Sequence, residues 1–125
     1  MPNNIKAMLK QNYKKIAMGN IEFFIDKPPV REVTINMNLT FKPSKLLVKF
    51  EYSGENINET ERYIRFDNRI TNNFYEYFCS GLDKDLSCYI YGITITEKTL
   101  KFGAFVDSGG YFDFTLKVTE WIAIE

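Results

Sequence analysis

Between Val33 and Leu39 the side chains alternate without a break: Val33, Ile35, Met37 and Leu39 are apolar, and Thr34, Asn36 and Asn38 are polar. A period of two puts one set on each face of an extended strand, so one face is made for burial and the other for water. The period returns along most of the chain. Ile21, Phe23 and Ile25 carry it until Asp26-Lys27-Pro28-Pro29, where proline, lacking an N–H, breaks the ladder. After the turn at Pro43-Ser44 it resumes at Leu46, Val48, Phe50 and Tyr52, then in RYIRF (62–66), FYEYFC (74–79), CYIYGITIT (88–96), LKFGAFV (100–106), YFDFTLKV (111–118) and WIAI (121–124). The polar stretches SGENINET (53–60) and SGLDKDLS (80–87) read as loops, and EKT and DSGG as tight turns. Eight or nine short strands at this spacing predict an all-β fold, an antiparallel β-sandwich of jelly-roll-like form. Val33, Ile35, Met37, Val48, Phe50, Phe112, Phe114 and Leu116 are expected to point inward.

Residues 4–17, NIKAMLKQNYKKIA, follow a different period. Ile5, Met8, Leu9, Tyr13 and Ile16 recur at helical spacing with lysines on the other face, which predicts a short N-terminal amphipathic helix. The chain thus divides into a helical segment, 1–17, and a β-sandwich domain, 18–125. A helix this short is marginal alone in water. Its stripe of Ile5, Met8, Leu9 and Ile16 must be covered by its own sandwich or by neighbouring copies, and is taken as a candidate oligomer contact.

With 125 residues, 45% of them hydrophobic and 16% aromatic, the chain has the size and apolar content of one folded domain. Sixteen basic and sixteen acidic residues cancel, so no general positive field draws in nucleic acid. Lys6, Lys10, Lys14 and Lys15 gather in the first 17 residues, which hold no acid. No apolar run approaches the length of a membrane span, so membrane insertion is not expected. No apolar signal core follows the first lysine, which leads us to expect cytoplasmic synthesis. Cys79 and Cys88 lie in or beside apolar runs and read as buried free thiols rather than a bridge.

The chain contains no histidine. Ser-His-Asp and Cys-His catalysis, and histidine-based zinc sites, are therefore excluded. Asp83-Lys84-Asp85 and the nearby Asp67 lack the further oxygen ligands and fixed glycine of a calcium loop, and read as solvated loop carboxylates. Asp107-Ser-Gly-Gly links two strands without opening a helix, so it reads as a hairpin turn rather than a phosphate cradle. No catalytic, cofactor-binding or metal residue is assigned, and an enzyme is not expected. The aromatic residues offer the stronger idea. Tyr63, Tyr75, Tyr77, Tyr89, Tyr91 and Tyr111, with Tyr52 and Trp121, could stack on the apolar faces of sugar rings or on a partner protein; the competing reading is core and interface packing. In Tyr75-Glu76-Tyr77 the two tyrosines share one strand face, opposite Phe74, Glu76 and Phe78.

Three stretches resemble the small β modules of phage and prophage tail-fibre and receptor-binding proteins. VTINMNLTFKPSKLLV (33–48) is similar to their alternating strand, aromatic-x-Pro corner and following apolar strand. WIAIE (121–125) is similar to their closing strand, and KIAMGNIEF (15–23) to their entry strand. The resemblance implies a non-enzymatic structural or receptor-binding component of a tail or tail-like particle, contacting a cell-surface glycan or another tail protein. It also implies a homo-oligomer, with a trimer favoured, and it carries no catalytic residue or cofactor. The alternative is a stand-alone carbohydrate-binding or adhesive module.

Overall fold

In the computed structural model, residues 15–26, 31–54, 57–67, 73–79, 86–108 and 114–125 are described. They form eight strands: β1 (Ile16–Phe24), β2 (Arg31–Asn36), β3 (Lys45–Gly54), β4 (Ile57–Asp67), β5 (Asn73–Cys79), β6 (Leu86–Ile95), β7 (Thr99–Ser108) and β8 (Phe114–Ile124). No helix occurs among the described residues. The strands make two four-stranded sheets, one ordered β1-β8-β3-β4 and the other β2-β7-β6-β5, and every pairing is antiparallel.

The alternation decides which face of each sheet is dry. Leu46, Val48 and Phe50 of β3 and Ile64 and Phe66 of β4 are buried from one sheet; Val33 and Ile35 of β2, Cys88 and Ile90 of β6, and Leu100, Phe102, Ala104 and Val106 of β7 are buried from the other. They belong to one apolar cluster. Ring contacts bridge the layers: Phe66 meets Phe102 with centroids 4.9 Å apart, and Phe50 meets Phe78 at 5.6 Å. Of the expected inward set, Val33, Ile35, Met37, Val48, Phe50 and Leu116 are buried, and Phe114 is partly buried against the same cluster. Phe112 lies outside the described residues.

Hydrogen bonds mark where the chain changes sheet. Ile25 donates its N–H to Leu116 O of β8, and the next residue, Asp26, accepts from Val106 N of β7, both at 2.8–2.9 Å. The return crossing runs through Met37 and Leu39, whose N–H groups donate to Lys98 O and Glu97 O, and ends where Ser44 N–H donates to Ile124 O. Asn38, between them, takes a left-handed backbone with φ 49°, which asparagine tolerates better than most residues.

Several expectations need correction. Met37 and Leu39 were expected in a strand, but β2 stops at Asn36 and the crossing begins there. The loop expected over 53–60 is largely strand, because β3 runs to Gly54 and β4 starts at Ile57. The two strands expected over 111–118 and 121–124 are, over their described residues, a single strand, β8 (Phe114–Ile124), which continues across a register shift at Thr119 where Phe50 pairs with Val118 and Lys49 with Glu120. The helix was expected to reach residue 17. Ile16 and Ala17 instead open β1, pairing with Ile124 and Ala123, since a neighbouring ladder satisfies their backbone groups where a helix end would not. Ile5, Met8 and Leu9 lie outside the described residues. In a jelly roll, strands pair as a rolled-up ribbon, first with last and inward to the middle. β1–β8 and β2–β7 follow that rule, but β3–β4, β5–β6 and β6–β7 pair as sequence neighbours.

Candidate functional site

The outer face of the β2-β7-β6-β5 sheet gathers aromatic side chains from three strands. Phe74 and Phe78 of β5 turn into the core, so Tyr75 and Tyr77 turn out; Cys88 and Ile90 of β6 turn in, so Tyr89 and Tyr91 turn out. Register then aligns them: Tyr75 lies opposite Tyr89, and Tyr89 opposite Phe105 of β7. The rings touch in sequence. Centroids are 4.9 Å apart for Tyr75–Tyr77, 4.4 Å for Tyr75–Tyr89, 5.1 Å for Tyr89–Phe105 and 6.3 Å for Tyr91–Phe105. Tyr89 and Phe105 lie near parallel, at 24°, while the other pairs meet edge to face, the arrangements that ring quadrupoles favour. Tyr77 is 56% exposed and Tyr89 42%, among the most exposed large apolar groups described.

Polar groups fix one end of this face. The Tyr75 hydroxyl hydrogen-bonds Ser87 Oγ and lies 3.5 Å from Asp107 Oδ2, and Ser87 Oγ donates to Asp107 O at 2.8 Å. The Ser87 hydrogen bond acts to lower the Tyr75 pKa; burial, Tyr77 and the Asp107 charge outweigh it and raise it. The phenol therefore stays neutral and can donate. At the other end, Gly103 lies opposite Tyr91 and beside exposed Glu32, leaving that position without a side chain. Gly92, at φ +66°, shifts the register between Tyr91 and Thr94 and ends the aromatic row.

The expected tyrosine surface is thus brought together in part. Tyr75, Tyr77, Tyr89 and Tyr91 form one face. Tyr63 does not join them: it sits on the other sheet, where its hydroxyl donates to Glu120 Oε1. Burial first, then that carboxylate, raises the Tyr63 pKa. Tyr111 lies outside the described residues. Tyr52 meets Phe78 edge-on against the core, and Trp121 is buried. Sequence reasoning missed Phe105, and it placed Ser87 in a loop and Asp107 in a tight turn, whereas β6 already begins at Leu86 and β7 runs to Ser108. Phe105 is out of phase with Phe102, Ala104 and Val106, which could have revealed its outward direction, but its tyrosine neighbours depend on register.

Asp67, read above as a solvated loop carboxylate, instead ends β4, where it is buried and paired with Arg65 at 2.7 Å. Asp83 and Asp85 lie outside the described residues. Among the described residues no group of three or more His, Cys, Asp or Glu is placed to hold a metal, and no helix is long and apolar enough to cross a membrane. Cys88 is a buried free thiol. The chain matches no protein-family model, no curated protein sequence and no solved structure.

Proposed function

We propose that this chain is a non-enzymatic recognition domain that binds a cell-surface glycan on the outer face of β5, β6 and β7, as a receptor-binding component of a phage tail or tail-like particle. The observation that carries the reading is the continuous row Tyr77–Tyr75–Tyr89–Phe105–Tyr91, open to solvent at Tyr77 and Tyr89. Flat π faces complement the apolar C–H face of a pyranose. Asp107, the Tyr75 hydroxyl and Glu32 supply acceptors and a donor at the margins for sugar hydroxyls. The virion setting and a homotrimer rest on the resemblance of 15–23, 33–48 and 121–125 to tail modules. The domain is a β-sandwich in this reading.

A glycan array, repeated with Tyr77→Ala and Tyr89→Ala, tests the binding. Retention of a glycan by the parent chain and its loss in both variants is the expected result; no bound glycan, or binding indifferent to both substitutions, overturns the reading. Tail, holin or lysin genes beside the coding sequence would favour the tail component over a stand-alone carbohydrate-binding module.

A further inference from the structure

Asp26, Glu61, Asp67 and Glu76 each lie 2.7–3.0 Å from an arginine or lysine nitrogen. The aromatic face differs. Its described carboxylates, Asp107 and Glu32, are exposed and form no ion pair among the described residues. Asp107 closes one end of the ring row. Tyr77 of β5 and Asp107 of β7 stand on either side of Ser87, each its register partner. Ser87 is small and fully buried, and two strand spacings put the flanking backbones about 10 Å apart. The floor of this gap is the Tyr75 hydroxyl, bonded to Ser87 Oγ and 3.5 Å from Asp107 Oδ2. The exposed rings of Tyr77 and Tyr89 border it, each in edge contact with Tyr75. Arg62, at this end of β5, is already bonded to Glu76 and to the Tyr77 carbonyl. Lys101, on the same face of β7, is six residues from Asp107, about 20 Å along the strand.

A carboxylate without a cation, set beside open ring faces, is complemented by a positive charge. Ring quadrupoles attract a cation within about 6 Å of a centroid. Carboxylate and hydroxyl oxygens accept N–H protons, and a protonated primary amine has three to give. We propose that this face selects an amino sugar whose amine is free and protonated, the ammonium seated between Asp107 and the rings of Tyr77 and Tyr89 and the pyranose lying along the row. The inference rests on the glycan-binding reading above and adds the chemical class of the glycan. An N-acetylated sugar brings a neutral amide with one N–H and leaves the Asp107 charge unmet. A uronic or phosphorylated sugar brings charge of the same sign as Asp107 and Glu32, which repel it.

Calorimetric titration of the full chain with a glucosamine tetrasaccharide, under mildly acidic conditions where its amines are protonated, and with its fully N-acetylated counterpart tests this. The free-amine form is expected to bind about tenfold more tightly, the scale of one charge-assisted hydrogen bond. Asp107→Asn should abolish that preference, while Glu97→Gln, in the turn between β6 and β7, should keep it. Equal affinities in the parent chain, or preference for the acetylated form, overturn the amine assignment and leave the glycan-binding reading intact. An equal loss in Glu97→Gln reduces the preference to general charge attraction and also overturns the assignment. Binding of neither tetrasaccharide overturns it too, and the glycan array then decides separately whether the face holds any sugar.

Discussion

Trp121 lies directly against Gly19: a Cβ built on Gly19 would fall 2.4 Å from Cε2 and Cζ2 of the indole. The two residues face each other across the β1–β8 ladder. Glycine is therefore required here by close approach.

Gly19→Ala must displace a rigid ring system, and overpacking of this kind costs about 1–3 kcal/mol. Chemical denaturation should show that loss. Because Trp121 is the sole tryptophan, its fluorescence maximum should move as well. An unchanged midpoint and spectrum would mean that the indole does not rest on Gly19.

On the aromatic face, Tyr89→Ala removes a stacked partner of Phe105 and an edge contact of Tyr75. Each such pair is worth about 0.5–1.5 kcal/mol, so the variant should fold with modestly reduced stability. Binding to any glycan the parent retains should weaken at least tenfold, about 1.4 kcal/mol. Calorimetric titration beside a thermal melt separates the two effects.

Burial pushes the Cys88 thiol up to about 12 from an ordinary value of 9.0. A thiol raised in the folded state stabilises the fold fully below its unfolded pKa. That contribution is lost as pH climbs from about 9 towards 12, because the unfolded chain then releases the proton more readily. Stability should fall across this window, and Cys88→Ala should flatten the Cys88 part of the fall; Tyr63, also raised, adds a similar loss at higher pH. Alkylation mapped by mass spectrometry should leave Cys88 unmodified in native protein at pH 8 and modify it after denaturation.

Thr119 sits at the register shift in β8, and its buried hydroxyl has no hydrogen-bond partner. Thr119→Val keeps the branched shape and removes the unpaired group. Leaving such a group buried costs about 1–3 kcal/mol, so the variant should be as stable as the parent or more so. A clear loss of stability in urea would show that the hydroxyl is satisfied in solution.

Strand identity was readable because Val33, Ile35, Phe50 and Leu116 alternate with polar neighbours and the core claims one phase. The limits of strands were harder. Ser53, Gly54 and Asn58 have loop-like composition, yet β3 and β4 extend almost to their connection, because ladder pairing overrides weak local preference. The aromatic face was half legible. Alternation puts Tyr75 and Tyr77 together on one strand, but the approach of Tyr89 and Phe105, and the separation of Tyr63, follow from which strands become neighbours. Strand order depends on non-local pairing that no local pattern encodes.

The place of β8 has a kinetic consequence. A chain made from its N-terminus produces β1 and β3 early, but the partner between them in the sheet spans residues 114–124. Until that stretch emerges, β1 and β3 each lack the same ladder neighbour, and their hydrogen-bonding edges stay open to other chains. Joining Ile16 to Ile124 also closes a loop of more than a hundred residues, a non-local contact of the kind that slows folding to milliseconds or seconds. The sheet completes only once β8 is made, so a chain cut short before residues 114–124 keeps adhesive edges rather than being a slightly shortened domain.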